Sequence, residues 1–86
     1  MDEVVVAVHA YKHGLAEADI RYAWEHFLCR QYRGAPNEGQ ILAVGCDRSG
    51  RAMQLVAVER ACGVLIYHAM APPTDNALVE LGLKRR

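Results

Sequence analysis

The sequence predicts one α+β domain over residues 1–86, with an N-terminal strand and helices packed on a three- to four-stranded antiparallel sheet and a short C-terminal helix. A chain of 86 residues that is 52% hydrophobic and 23% charged is typical of a single small globular domain. One segment carries apolar residues at the spacing of an amphipathic helix. Three later segments are rich in strand-forming residues and are joined by short links that contain glycine.

The N-terminal segment is predicted to be a strand followed by a helical turn. Residues 4–8 are four valines and an alanine, and β-branched apolar residues favour a short buried strand. Residues 9–13 are expected to form a helical turn. Gly14 ends that turn, because glycine adopts the left-handed backbone conformation that a helix stop requires.

The segment that begins at Ala16 has the clearest helical pattern. Glu17 and Asp19 lie in its first turn, where acidic groups suit the helix dipole. Arg30 and Arg33 lie near its expected end, where basic groups suit the dipole. Ala16 is a poor N-cap residue, so the start of this helix is expected to be weak. The apolar stripe is expected to face the core and consists of Ile20, Ala23, Trp24, Phe27 and Leu28.

A loop at residues 34–39 is followed by three predicted strands, at residues 40–46, 52–59 and 64–70. The links between these strands are short and contain glycine, which predicts hairpins and therefore an antiparallel meander. In each strand, the residues that face one side of the sheet and those that face the other side are both largely apolar. We therefore expect one face of the sheet to pack on the helix and the other to be covered by a partner or a second copy.

The C-terminal segment is predicted to contain a short helix. Two consecutive prolines after residue 71 end the last strand, because proline lacks the N–H that a sheet needs. Thr74 or Asp75 is expected to cap the helix. The helix is expected to run through Leu81 and to end at Gly82, and the basic tail at residues 83–86 is expected to be frayed.

Charge and cysteine content restrict the partners that the chain is expected to use. Ten basic and ten acidic residues give a net charge of zero, which argues against a broad basic surface for nucleic acid but allows a local basic site. The spacing of Cys29, Cys46 and Cys62 fits neither a zinc site nor a disulfide framework. Asp2 and Glu3 are acidic where a signal peptide would be basic, and no apolar run has membrane-spanning length. We expect a soluble cytoplasmic protein with no membrane contact, metal or cofactor.

Two histidines are candidate catalytic groups because an imidazole exchanges protons near neutral pH. His13 follows Lys12, a cation, and precedes a glycine. His68 lies near the end of the last predicted strand, where alternation places it on the same face as Val64 and Ile66. The structural alternatives are that His13 is an ordinary exposed turn residue and that His68 is a half-buried residue with its hydrogen bonds satisfied.

Two arginines and two tyrosines are candidate substrate-binding groups. Arg48 and Arg51 lie in the turn between two predicted strands, and their guanidinium groups offer paired donors that match phosphate oxygens. Their alternative role is that of solvated turn residues. Tyr11 and Tyr67 offer rings on which a nucleobase can stack, with packing as the alternative.

Three segments together resemble a known family. They are KHGL with DIRYAWEHFL, then VGCDRSGRAMQLVAVE, and then VLIYHAMAP, and the resemblance covers roughly residues 10–72. The set is similar to the BrnT-type toxins of bacterial type II toxin–antitoxin pairs, which are similar in fold to RelE-like ribonucleases. The family commonly has Ala-Arg where this chain has Ala69-Met70. The positions that match the family are Lys12, His13, Gly14, Gly50 and Arg51.

The resemblance implies a RelE/BrnT-like fold, cleavage of messenger RNA and neutralisation by a cognate antitoxin protein. The expected enzyme is a metal-independent endoribonuclease in which His13 and His68 are the proton-transfer groups, while Lys12, Arg48 and Arg51 stabilise phosphate charge. The alternative is a non-catalytic module that keeps the fold and binds a protein or RNA. The expected assembly is a homodimer or a toxin–antitoxin hetero-oligomer.

Overall fold

A computed structural model describes residues 3–85, without the side chains of His9 and Lys12. Five strands, one 3₁₀ helix and two α-helices make up this part of the chain. In chain order they are β1 (Glu3–Val6), the 3₁₀ helix (Val8–His13), α1 (Glu17–Glu25), β2 (Phe27–Tyr32), β3 (Gln40–Cys46), β4 (Ala52–Arg60), β5 (Gly63–Met70) and α2 (Asp75–Glu80).

The strands form one mixed sheet in the order β1-β5-β4-β3-β2. Strands β2 to β5 pair antiparallel with their chain neighbours, so the predicted meander is confirmed. The prediction of a three- to four-stranded antiparallel sheet was too small, because residues 27–32, predicted as helix, form the additional strand β2. The N-terminal strand β1 also joins the sheet, and it runs parallel to β5. A parallel neighbour needs a connection that crosses the sheet, and the 3₁₀ helix and α1 lead the chain from the β1 edge to the β2 edge.

The first α-helix is shorter than its apolar pattern predicts. α1 ends at Glu25, and the next residues form β2 as the edge partner of β3. Phe27 and Leu28 are 41% and 66% exposed, so their prediction as core residues was wrong, whereas Ile20, Ala23 and Trp24 are buried. Pairing with β3 satisfies backbone groups of this segment, and tertiary pairing thus overrides a helical periodicity. α1 starts after Ala16 without a hydrogen bond from a capping side chain, as its sequence predicts.

The two arginines expected at the helix end have other roles. The guanidinium of Arg30 lies 4.7 Å from the ring centre of Trp24 and 4.0 Å from that of Phe27, a cation–π arrangement on β2. Arg33 follows β2 and forms a two-pronged ion pair with Glu80 of α2, both contacts being 2.9 Å. Both arginines therefore hold the edge strand β2 against the rest of the fold.

The sheet buries a different cluster on each side. On the α1 face, α1 and the 3₁₀ helix cover Ile41, Ala43, Met53, Leu55, Ala57, Ile66 and Ala69. On the α2 face, Ala77 and Leu81 pack on Leu42, Val44 and Val56. The face expected to need an outside partner is thus covered in part by the chain's own C-terminal helix.

The C-terminal helix follows its predicted signals. The Thr74 hydroxyl accepts a hydrogen bond from the backbone N–H of Ala77 at 3.2 Å, which confirms the cap. Beyond α2 the backbone N–H of Leu83 donates to the carbonyl of Leu78, and Lys84 pairs with Asp75 at 2.8 Å. Part of the tail expected to be frayed is therefore bonded to α2, and Arg86 lies outside the described residues.

Candidate functional site

The structure brings His13 and His68 together. Their ring centres are 5.6 Å apart, and the ring planes meet at 84° in an edge-to-face contact. Strand β1 pairs with the first half of β5, and the backbone N–H of Ala7 continues this pairing by donating to Ile66. The 3₁₀ helix then runs beside the second half of β5, and Gly14, with φ of 79°, ends it one residue after His13. Two distant parts of the sequence thereby meet at one strand end.

A register shift decides which face of the sheet His68 occupies. The pairing of β4 with β5 shifts between Val56 and Ala57, so that Val56 faces His68 while Ala57 faces Ile66. Tyr67 is the extra residue of this bulge, and it packs with the α2-face cluster. His68 lies in a cleft on the α2 face, so the predicted shared face with Val64 and Ile66 was wrong.

The cleft beside His68 lies between the sheet and α2 and has a volume of about 230 Å³. Leu42, Val56 and Ala77 supply apolar walls, and polar side chains supply the remainder. A larger cavity, of about 380 Å³, lies at the start of β5 beside Gly63 and away from the imidazoles. The polar residues of the cleft by His68 are Arg33, Gln54, Thr74, Asn76 and Glu80.

Gln54 is the polar residue at the centre of this site, and the sequence reasoning missed it. Its side chain is on the α2 face of β4, and the residue is only 8% exposed. Its carbonyl oxygen Oε1 accepts a hydrogen bond from the backbone N–H of Thr74 at 2.7 Å. Its amide nitrogen Nε2 lies 3.5 Å from Nε2 of His68. One buried amide therefore joins the cap of α2 to the imidazole pair.

The β3–β4 turn forms a separate polar cluster around Asp47. This carboxylate, which is 5% exposed, accepts hydrogen bonds from the backbone and hydroxyl of Ser49 and from the backbone and guanidinium of Arg51. The hydroxyl of Ser49, followed by the backbone N–H of Arg51, lowers the pKa of Asp47 from 3.8 to about 2. Arg51 also approaches Asp19 of α1 at 3.8 Å. The turn is thus organised by its own internal bonds.

The two candidate arginines of the β3–β4 turn lie away from the imidazole pair. Arg48 lines a shallow groove with Arg21, Tyr22 and Glu25 on α1. Along β4, Arg51 is five residues from the partner of His68, which corresponds to about 17 Å of strand. The hairpin arginines and the imidazoles therefore do not share one hollow.

The two candidate tyrosines are both partly buried. Tyr11 packs against the core cluster of the α1 face, and its burial together with a hydrogen bond to Glu17 raises its pKa. Tyr67 packs against the cluster of the α2 face. Packing is thus the contact observed for both rings. The Lys12 side chain lies outside the described part of the structure.

Within residues 3–85, no group of three or more His, Cys, Asp or Glu side chains is arranged to hold a metal ion. Neither α-helix in that part of the chain has the length and apolar character that crossing a bilayer requires. Cys29, Cys46 and Cys62 are free thiols. Comparison of the chain with protein-family models, with curated proteins and with solved structures finds no match.

Proposed function

We propose that the chain is a metal-independent endoribonuclease in which His13 and His68 are the catalytic residues. The observation that carries this proposal is the 5.6 Å separation of the two imidazole rings. At that spacing, one phosphodiester group can contact a nitrogen of each ring. His13 is exposed and His68 lines an open cleft, so an RNA strand can reach both.

The chemistry uses the 2′-hydroxyl that distinguishes RNA from DNA. One imidazole removes the 2′-hydroxyl proton while the 2′-oxygen forms a bond to phosphorus. The P–O5′ bond breaks, and the 5′-oxygen takes up a proton from the second imidazole, which enters the step as imidazolium. The first ring then releases its proton to solvent and the second takes one up, so that both return to their starting forms. The products are a 2′,3′-cyclic phosphate and a 5′-hydroxyl end. General acid and base groups of this kind contribute rate factors of about 10² to 10⁴ each.

The cations of the chain have separate parts in this proposal. Lys12 precedes His13 in the sequence and is the basic residue nearest to it along the chain, so we assign it to the phosphate that is cut. Arg48 and Arg51 lie in the β3–β4 turn, and Arg51 is separated by about 17 Å of strand from Val56, the residue that pairs with His68. We assign these two to phosphates further along the RNA, where they add affinity in place of the catalytic role expected for Arg51.

The decisive experiment is cleavage of a single-stranded RNA in the presence of a chelator. We expect His13→Ala and His68→Ala each to lower the cleavage rate by a factor of about 10² or more. His26→Ala is the matched control, because this third histidine stacks on Tyr22 at the end of α1 and lies outside the imidazole pair. Circular dichroism should show that all three variants are folded. Cleavage that survives in both His13 and His68 variants would refute their assignment.

The resemblance to BrnT-type toxins extends the proposal to a biological role. Expression in a bacterium should slow growth and shorten messenger RNA, whereas the double variant of His13 and His68 should do neither. An antitoxin protein encoded beside the gene should relieve the effect. Unchanged growth and RNA with soluble wild-type protein would argue against a toxin.

One observation favours the alternative of a non-catalytic module. Among the side chains that the structure describes, Arg33 is bound to Glu80 and Gln40, and Arg51 is bound to Asp47. The positive charge of Arg33 at the cleft and that of Arg51 at the β3–β4 turn are thereby offset within the fold. If the protein shifts RNA in a gel without cutting it, and the histidine variants bind equally well, the binding module is the correct function.

A further inference from the structure

We infer that a cavity on the α1 face of the sheet, beside the edge strand β2, binds a guanine base. The cavity has a volume of about 250 Å³ and lies between the end of α1 and one end of the sheet. Pockets for drug-sized ligands span about 300 to 1,000 Å³, so this volume suits one small ring system. The inference does not rest on the proposed endoribonuclease function, because the cavity and the cleft by His68 lie on opposite faces of the sheet.

Apolar side chains from three strands and one helix form the walls of this cavity. Val4 of β1, Ile41 of β3 and Val64 of β5 line it, together with Trp24 near the end of α1. Contact with these side chains removes the apolar faces of a flat ring from water, which favours binding. The polar residues of the cavity are Arg30, Gln31, Tyr32 and Glu59.

Glu59 supplies the hydrogen-bond acceptors of the cavity. The Tyr32 hydroxyl donates to Oε2 of Glu59 at 2.6 Å, which fixes the direction of the carboxylate. An ionised carboxylate has about four acceptor positions, so this one bond leaves the others for a ligand. The Gln31 amide is engaged elsewhere, because its nitrogen donates to the backbone carbonyl of Glu80 on α2. Glu59 is therefore suited to a ligand that presents two adjacent N–H groups.

Arg30 supplies the donors. Its guanidinium lies 4.7 Å from the ring centre of Trp24 and 4.0 Å from that of Phe27. Stacking uses the faces of this planar group and leaves the N–H groups at its edge available to a ligand. The hydrogen bond to Glu59 is the main cause that raises the pKa of Tyr32, and the positive charge of Arg30 opposes this rise. The cation and the carboxylate thus both act on the Tyr32 hydroxyl.

Guanine has the pattern of donors and acceptors that this pair requires. Its N1–H and N2–H lie side by side and match the two oxygens of a carboxylate. Its O6 and N7 are adjacent acceptors, and arginine commonly binds both of them at once. Adenine and cytosine would instead turn a ring lone pair towards Glu59, and uracil has one N–H between two carbonyls. Of the four RNA bases, guanine alone places two adjacent donors beside two acceptors.

The test is the binding of guanosine monophosphate, with the adenosine, cytidine and uridine monophosphates as controls. Titration calorimetry measures the affinity, and fluorescence of Trp24, the single tryptophan of the chain, reports on the cavity itself. We expect the other three nucleotides to bind at least about tenfold more weakly, because a paired base contact discriminates to that degree. A second arm uses short single-stranded RNAs with one guanine or none, and their 2′-O-methyl riboses prevent the cleavage proposed above.

Glu59→Gln is the decisive variant, because it keeps an oxygen for Tyr32 but replaces the other acceptor by an NH₂ donor. It should weaken guanine binding at least about tenfold, and Asp75→Asn is the matched control, since it removes a carboxylate on α2 and should bind as the wild type does. Arg30→Lys keeps the charge without the paired donors, and it should also weaken binding.

The two arms separate the possible sources of the base. Binding of the mononucleotide identifies a free guanine nucleotide as a sufficient ligand, whereas guanine-dependent binding of RNA alone identifies a base within RNA. Equal affinity for guanine and adenine, an affinity that Glu59→Gln leaves unchanged, or no guanine-dependent binding in either arm would overturn the inference. Guanine binding by a protein that does not cut unmodified RNA would refute the proposed function only.

Discussion

Replacement of Gly45 by alanine should destabilise the protein because α1 lies directly on this residue. A Cβ atom built on Gly45 would lie 2.1 Å from the carbonyl oxygen of Ala23, 2.9 Å from its carbonyl carbon and 3.2 Å from its Cα. Ordinary contacts of a Cβ begin at 3.4 Å, so the nearest atom is more than 1 Å too close. All three neighbouring atoms are backbone atoms, which cannot rotate away as a flexible side chain can. The sheet or the helix must therefore move.

The magnitude follows from what that movement disturbs. Shifting α1 away from the sheet opens the contacts of Ile20, Ala23 and Trp24, which are 0%, 0% and 5% exposed. Adding a methylene to a well-packed core costs about 1 to 3 kcal/mol when side chains can adjust. We expect Gly45→Ala to reach the upper end, about 3 kcal/mol, because the clash is with backbone. A domain of this size has a total stability of roughly 4 to 13 kcal/mol.

The assay is urea unfolding followed by circular dichroism, with Gly34→Ala as the matched control. Gly34 has no neighbouring atom within 4 Å of a built Cβ and needs no left-handed backbone, so the control should be neutral or slightly stabilised. A free energy of unfolding for Gly45→Ala within about 0.5 kcal/mol of the wild type would refute the reasoning, because surface substitutions alone vary by that amount. It would mean that α1 does not sit on β3 at this residue.

Three further predictions concern the hairpin turn, the edge strand and the C-terminal helix. The folded-state pKa of Asp47 is lowered from 3.8 to about 2, so its contribution to stability is present above pH 3.8 and is lost as the pH falls towards 2. Urea unfolding should therefore show a loss of free energy of unfolding over this pH range in the wild type but not in Asp47→Asn. Leu28→Ala should cost less than about 0.5 kcal/mol, whereas Ile20→Ala should cost about 2 to 5 kcal/mol, because only Ile20 is buried. Thr74→Ala should lower the free energy of unfolding by about 1 kcal/mol, because it removes the hydroxyl that caps α2.

Each of these predictions has a clear contrary result. An equal loss of stability in acid for the wild type and Asp47→Asn would show that another carboxylate is responsible. Similar costs for Leu28→Ala and Ile20→Ala would favour the long helix that the apolar periodicity predicts. If Thr74→Ala has the same free energy of unfolding as the wild type and as Thr74→Ser, which keeps a hydroxyl, the cap does not stabilise α2.

Elements with local signals were predictable from the sequence. The strand at residues 40–46 has the predicted bounds because glycine-rich and polar turns flank an apolar run. The cap at Thr74 and the helix stop at Gly14 were also correct, since both depend on a single residue and its immediate neighbours. In these places, the chemistry of a few adjacent residues decides the backbone conformation.

The end of α1 was not predictable from the same kind of signal. Phe27 and Leu28 continue the helical spacing of Ile20 and Trp24, so periodicity alone extends the helix. Pairing with β3 favours a strand over a helix here, because β3, which follows later in the chain, supplies hydrogen-bond partners to the backbone of residues 27–32. The apolar spacing within one short segment carries no information about a partner elsewhere in the chain, so the predicted sheet had one strand too few.

The candidate site depended on long-range pairing even more strongly. His13 and His68 meet because β1 lies parallel to β5, and a valine run does not specify its neighbour in a sheet. The bulge at Tyr67 then reverses the face on which His68 lies, and no turn residue marks it. A signal for Gln54 was present, since it is the one polar residue in the run from Ala52 to Val58. A lone amide inside an apolar strand needs hydrogen-bond partners when it is buried, so its position predicts a polar contact on that face of the sheet.

Gly45 and the candidate site lie on opposite faces of the sheet, and the energetic independence of the two faces can be tested. Gly45 lies under α1, whereas Gln54 contacts His68 on the α2 face, and neither shares a described partner with the other. Substitutions without shared contacts usually add in free energy to within about 0.5 kcal/mol. The double variant Gly45→Ala with Gln54→Met should therefore lose the sum of the two single losses in stability, as measured by urea unfolding. A double variant whose loss differs from that sum by clearly more than about 0.5 kcal/mol would mean that the sheet transmits strain from one face to the other.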